Sequence, residues 1–193
     1  MRGGNDLSEK AVLISIRPEW CEKIANGIKS IEVRKTRPKL QVPFKCYIYV
    51  TNTRPLLVIG DVFRGDWFTE FTRISGYSRA EADRIWDVFN GGVMGEFVCN
   101  QIDTLRPANE PYGIYDVDDD YVLQTCLENG ALWDYGHGKT LYGWHIAGLE
   151  IYDAPKKLEE FRAPELPTGL RYEADVIKRP PQSWRYVEEA KRP

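Results

Sequence analysis

Residues 18–35 read PEWCEKIANGIKSIEVRK, and the change of period inside this stretch decides how the chain is built. Trp20, Cys21, Ile24 and Ala25 fall at i, i+1, i+4 and i+5, an apolar stripe with Glu19, Glu22 and Lys23 outside it, which predicts a helix. Pro18 suits the first turn, where a missing N–H costs nothing, and Gly27 supplies a left-handed stop. Ile31 and Val33 then alternate with Ser30, Glu32 and Arg34, the period of a half-buried strand. Gly27, Lys29, Glu32, Arg34 and Lys35 therefore crowd a helix–strand junction, where charged groups meet a ligand more readily than they fill a core. Extending the strand's alternation backwards puts Lys29 on the side of Ile31 and Val33, and Glu32 with Arg34 and Ser30 on the other. On that reading Lys29 either snorkels to water or is held at a pocket, and Glu32 and Arg34 are free to pair.

Working outward, residues 11–16 (AVLISI) form a short apolar run, a buried strand. Residues 45–51 (KCYIYVT) alternate, with Cys46, Ile48 and Val50 on one face and Tyr47, Tyr49 and Thr51 on the other. A further strand is expected over 56–62. Ser78 and Glu81 make a capping box that opens a helix to about Phe89. Residues 93–103 (VMGEFVCNQID) read as a strand bent at Gly95. Asp118, Asp119 and Asp120 start a helix to about Glu128, ended by Gly130. The loop WDYGHGK follows, then one or two strands over 140–145 and 149–152, and a late strand-like run over 183–187 among prolines. Short alternating strands with few helices predict an α+β fold, a small β-barrel decorated by helices. The domain spans 11–153 with a helical insertion at about 64–92, and residues 154–193 form a C-terminal extension that is available to a protein partner.

A net charge of -3 argues against a protein held to nucleic acid mainly by bulk electrostatics, while leaving room for a local basic patch. Cys21, Cys46, Cys99 and Cys126 are widely spaced, form no C-x-x-C pair, and have only His137 and His145 for company. That pattern supports no zinc site and predicts buried free thiols; no metal or cofactor is expected. Gly138-Lys139-Thr140 is not a phosphate loop, because Trp133 stands where its first glycine belongs and a strand follows. Asp116, Asp118 and Asp120 open like a calcium loop, but Tyr121 and Leu127 replace its glycine and glutamate. The amino terminus lacks a signal-peptide core and no stretch reaches membrane-spanning length, so a cytoplasmic protein without membrane contact is expected.

Pro18-x-Trp20 followed by Gly27-x-Lys29-x-x-Glu32-x-Arg34 resembles the signature of the activating signal cointegrator homology (ASCH) family. Gly95-Glu96-Phe97-Val98 and Tyr142-Gly143-Trp144-His145-Ile146 resemble its later strands, including versions found in bacteria and their phages. The resemblance covers residues 11–153 and implies a PUA-like barrel with a cleft beside the motif that binds RNA or a nucleotide-like ligand. In such a cleft Lys29, Arg34 and Lys35, with Arg37 and Lys39 beyond them, would contact phosphates. Trp20, Tyr49 or Trp144 would offer a stacking face, and Glu32 would accept from an exocyclic amine or orient Lys29. Some small proteins of similar fold are amidohydrolases that deacetylate N4-acetylcytidine with a lysine, a threonine three positions on and a distant glutamate. Lys29 matches that lysine, but Glu32 stands in the threonine's place. The expected function is therefore binding of RNA or a nucleotide. The alternative is a hydrolase acting on a modified nucleoside or on RNA, with Lys29 and Glu32 catalytic.

Overall fold

The computed structural model describes residues 10–53, 89–108, 113–164 and 176–189. Within them the elements are β1 (Lys10–Ile16), α1 (Pro18–Ala25), β2 (Ile31–Arg34), β3 (Phe44–Val50), β4 (Val93–Leu105), α2 (Asp119–Thr125), α3 (Asn129–Gly136), β5 (Leu141–Lys156) and β6 (Trp184–Glu188). The expected strand at 56–62, and all but the end of the expected helix at 78–89, lie outside the described residues. All six strands join one mixed sheet in the order β2-β5-β4-β3-β1-β6, an α+β fold. Only β1 and β3 run parallel; every other neighbouring pair is antiparallel. β6 pairs with β1 from Lys10↔Glu188 to Ile14↔Trp184, so the C-terminal extension supplies the sixth strand.

The expected barrel is corrected: the sheet curls but does not close, and β2 and β6 remain its two edges. β2 is only four residues long and, among the described strands, pairs with β5 alone, over Ile31↔His145 to Arg34↔Tyr142. Across the seam the edges meet through side chains rather than a ladder. The Trp184 indole N–H donates to Thr36 Oγ1 at 3.0 Å, and the rings of Trp144 and Trp184 lie 5.8 Å apart.

Both faces of the central strands are covered, which explains why AVLISI reads as a continuous apolar run. Val12, Ile14, Cys46, Ile48, Phe97, Cys99 and Trp144 pack inside the curl. Ala11, Leu13, Tyr47, Tyr49 and Val93 pack outside it under Leu158, Phe161 and Ile177. Val33, Leu105, Tyr115, Leu132 and Leu141 build a third cluster, with Val117, Tyr121 and Trp133 packed against it.

Local signals account for the elements. Pro18 begins α1, and Gly27 follows its end at φ +69°. The bend expected at Gly95 is a register shift between Val93 and Gly95, where an added Cβ would overlap the Glu150 carbonyl. Asp118 caps α2 by accepting from the Tyr121 N–H at 2.8 Å. α2 stops earlier than expected, at Cys126 in the left-handed conformation, and Gly130 lies inside α3 rather than ending a helix. The loop expected at WDYGHGK is largely the end of α3. Asn129 fastens that helix by exchanging two hydrogen bonds with the backbone of Tyr115, at 2.6 and 3.1 Å. No helix among the described residues is long and apolar enough to cross a membrane.

All four cysteines are free; Cys21, Cys46 and Cys99 are buried and Cys126 is partly exposed. Burial pushes the Cys99 thiol up to about 12 and raises those of Cys21 and Cys46 as well, so the three carry almost no thiolate at neutral pH. A disulfide reagent added to the native protein at pH 8 is expected to titrate one thiol, Cys126, and the other three only in denaturant. Rapid release of more than one equivalent from the native protein would contradict this packing.

Candidate functional site

The turn between α1 and β2 sets the site. The N–H groups of Ile28 and Lys29 both donate to the carbonyl of Lys23, at 2.9 and 3.1 Å, so the chain stays with the helix through Lys29. The strand begins only at Ile31. The alternation that put Lys29 with Ile31 and Val33 is therefore corrected: Lys29 lies before the pleat begins, and its side chain turns to the side of Glu32 and Arg34.

Lys29, Glu32 and Arg34 are buried, with 2%, 6% and 8% exposure. An isolated charge at such depth is untenable, so each must find partners. Glu32 receives one cation on each oxygen, Lys29 Nζ at 3.4 Å and Arg34 Nη2 at 3.0 Å. Lys29 Nζ also donates to the Thr125 carbonyl at 2.5 Å. That carbonyl belongs to the last residue of α2, where the helix leaves carbonyls unpaired and favours a cation. Arg34 Nη2 donates to the Ser15 carbonyl at 2.7 Å, and Arg34 Nη1 approaches Ser183 Oγ at 3.5 Å. One guanidinium thus reaches from the β2 edge to β1 and to the approach to β6. It bridges the seam where the ladder is missing.

Over this floor opens a cleft of about 390 Å³ lined by Ser15, Arg17, Trp20, Thr51, Tyr135 and Gln182, together with Ser183 and the buried triad. Its lining holds three cations, Arg17, Lys29 and Arg34, against the single carboxylate of Glu32. A cationic hollow in a chain of net charge -3 concentrates positive potential at one place. Arg17 is at the mouth with its side chain 72% exposed, 3.8 Å from Glu19.

Of the residues expected at the site, the cleft brings together Trp20, Lys29, Glu32 and Arg34. Trp20 is half-buried, with the ammonium groups of Lys23 and Lys29 at 5.0 and 5.2 Å from its ring. Lys35 is exposed just outside, 4.7 Å from the ring of Tyr135, a cleft residue. Arg37 stands farther along the same loop, over Tyr142 at 5.8 Å, and Lys39 is exposed beyond it. Tyr49 lies away from the cleft in the cluster outside the curl. Trp144 has no exposed surface and packs edge-on against Phe44 and Trp184, so it offers no stacking face. Sequence reasoning missed Ser15, Tyr135, Gln182 and Ser183, and the carbonyl of Thr125, which the fold brings in from distant segments.

The histidines do not join this site. His137 occupies the left-handed position after α3. His145 Nε2 meets Asp103 Oδ2 at 2.5 Å between β5 and β4. Burial alone would raise Asp103, but the hydrogen bonds from Gln101 and His145 outweigh it and hold its carboxyl below the usual range. Among the described residues no cluster of histidine, cysteine or carboxylate side chains is placed to hold a metal ion.

No protein-family model and no curated protein matches the sequence. Solved structures do. The ASCH protein of Zymomonas mobilis superposes with a TM-score of 0.52 at 16% identity, over 93% of this chain and 88% of that one. A serine-to-alanine mutant of the same protein gives 0.53 at 16%, covering 95% and 92%. A tyrosine-to-phenylalanine mutant gives 0.51 at 15%, covering 94% and 92%. The fold is thus that of ASCH-domain proteins, as the motif at Gly27–Arg34 led one to expect. At this level of identity the likeness speaks for the fold alone.

The triad makes a sharp stability prediction. Replacing Glu32 with glutamine leaves two buried cations without a carboxylate and should cost about 3–5 kcal/mol, whereas Lys29→Met keeps the Glu32–Arg34 pair and should cost clearly less. Urea denaturation of the two variants and the wild type measures the difference. Equal stabilities for all three would show that the triad is not a buried network.

Proposed function

We propose that the cleft at the sheet seam binds a nucleotide, free or as part of RNA, through its phosphate and one base. The observation that carries this reading is the lining of three cations against one carboxylate beside the half-buried ring of Trp20. Excess positive charge in a hollow favours an anion, and an aromatic wall favours a flat ring. A volume of about 390 Å³ lies in the range of small-ligand sites and fits one nucleotide better than a length of strand. Lys35, Arg37 and Lys39, exposed along the adjoining loop, would then meet the phosphates of any longer chain.

Binding is favoured over the hydrolytic alternative by the state of Glu32. Each of its oxygens is already engaged by a cation, so it serves to hold Lys29 and Arg34 in place rather than to take a proton from a nucleophile. The Lys29 ammonium is likewise occupied by Glu32 and the Thr125 carbonyl.

Titrating the protein with ribonucleoside monophosphates and short oligoribonucleotides at low salt tests the reading. Arg17→Ala, which removes a largely exposed side chain, should weaken binding about three- to tenfold, and affinity should fall as salt rises. Incubation with N4-acetylcytidine should give no turnover above a Lys29→Ala control. Failure to bind any of these ligands would refute nucleotide binding, and turnover that depends on Lys29 would favour the hydrolase.

A further inference from the structure

The cleft has one wall from far along the chain, Gln182 and Ser183 in the segment 181–183 that leads into β6. Its backbone is pinned on both sides. The Ser15 hydroxyl donates to the Pro181 carbonyl at 2.6 Å, and the Ser15 N–H to the Ser183 carbonyl at 2.9 Å. The next residue, Trp184, is paired opposite Ile14 and bonds Thr36. The Ser183 side chain, by contrast, is barely used. Among the described residues its only hydrogen-bond contact is the 3.5 Å approach of Arg34 Nη1, at the outer limit of a hydrogen bond.

Arg34 mirrors this imbalance. Its Nη2 is engaged by Glu32 and the Ser15 carbonyl, while Nη1 has only that long contact among the described residues. Lys29 is too deeply buried to offer much surface, its side chain only 1% exposed, so it acts on the cleft mainly through its charge. A guanidinium N–H and a hydroxyl thus stand side by side at the cleft wall, each under-partnered, the one tied to the Ser15 carbonyl through Arg34 Nη2 and the other carried on a segment tied to the Ser15 N–H and hydroxyl. An oxygen of an anionic group seated between them would receive a full-strength bond from both.

We infer that Ser183 is a ligand-binding residue, which together with Arg34 Nη1 forms the seat for one oxyanion, a phosphate monoester in chemical class. This rests on the nucleotide reading of the cleft and adds to it the group that is anchored and the residue that anchors it. It also makes the C-terminal segment part of the site rather than a separate arm: the wall that carries Ser183 is held by β1, the same strand whose Ser15 carbonyl receives Arg34. Arg17, exposed at the mouth, faces the outer oxygens of the same group.

Calorimetric titration of the full chain with the four ribonucleoside 5′-monophosphates and the matching nucleosides tests the inference. For the wild type, at least one monophosphate should bind more tightly than its nucleoside. Ser183→Ala, with its fold verified by an unchanged thermal transition, should weaken that monophosphate about tenfold and leave the nucleoside unaffected. Ser183→Thr keeps the hydroxyl and should retain most of the affinity, which also covers the case in which the alanine variant folds poorly. Monophosphate binding that is unchanged in Ser183→Ala would overturn the inference while leaving nucleotide binding intact. Equal losses of monophosphate and nucleoside would also overturn it, because the serine would then act through the shape of the wall. A wild type that binds none of the probes would remove the nucleotide reading itself, and this inference with it.

Discussion

Three charged side chains stand where a hydrogen-bond ladder would otherwise run. Glu32 accepts from Lys29 on one oxygen and from Arg34 on the other. Arg34 spans from the short edge strand β2 to the Ser15 carbonyl on β1, and Lys29 takes up the terminal carbonyl of α2. Burying such charges is costly and is offset here by pairing, Glu32 with both cations and each cation with a backbone carbonyl, although Arg34 Nε is buried without a partner among the described residues. The triad therefore does for the seam what strand pairing does for the rest of the sheet, with one difference. A ladder would have closed the barrel, whereas side chains hold the edges together and leave a hollow between them.

The hollow inherits its chemistry from that repair. Two cations are needed to hold one carboxylate and two separate backbone segments, so the seam ends with a surplus of positive charge beneath an open cleft. Trp20 contributes a wall because α1 must end close to the triad for Lys29 to enter it, and Gly27 permits the turn. Ser183 contributes another because β6 pairs with β1 and carries its leading residues up to the seam. Structural constraint and candidate binding surface are here the same set of atoms. Substitutions at Glu32 therefore perturb stability as much as affinity, and Arg17 and Ser183 are the cleaner probes of binding.

Much of this was legible in residues 18–35. The helical stripe, its proline start and its glycine stop stand as read, because each depends on neighbours within a few residues; a strand forms at Ile31–Arg34 as expected, but all four of its residues are buried where the alternation had implied one open face. Lys29, Glu32 and Arg34 were recognisable as a group for the same reason. What could not be read depends on partners far away. Whether Lys29 follows the pleat is decided by the hold of the Lys23 carbonyl on the turn, which delays the strand to Ile31. Whether the barrel closes is decided by the pairing of β2, and Ser183 reaches Arg34 across 149 positions that no local pattern spans. Trp144 illustrates the limit for composition: a tryptophan beside a binding motif suggests stacking, but its place opposite Glu32 on β5 points it into the packed interior.

A crystal structure of the protein with a ribonucleoside 5′-monophosphate would show whether the unclosed seam seats the anion. The phosphate should be found in the seam cleft, within hydrogen-bond distance of Arg34 Nη1 and Ser183 Oγ, with the Lys29–Glu32–Arg34 contacts intact beneath it. A nucleotide bound elsewhere on the surface, or a phosphate that breaks the Glu32–Arg34 contact to enter, would contradict the view that the unclosed seam is a preformed anion site.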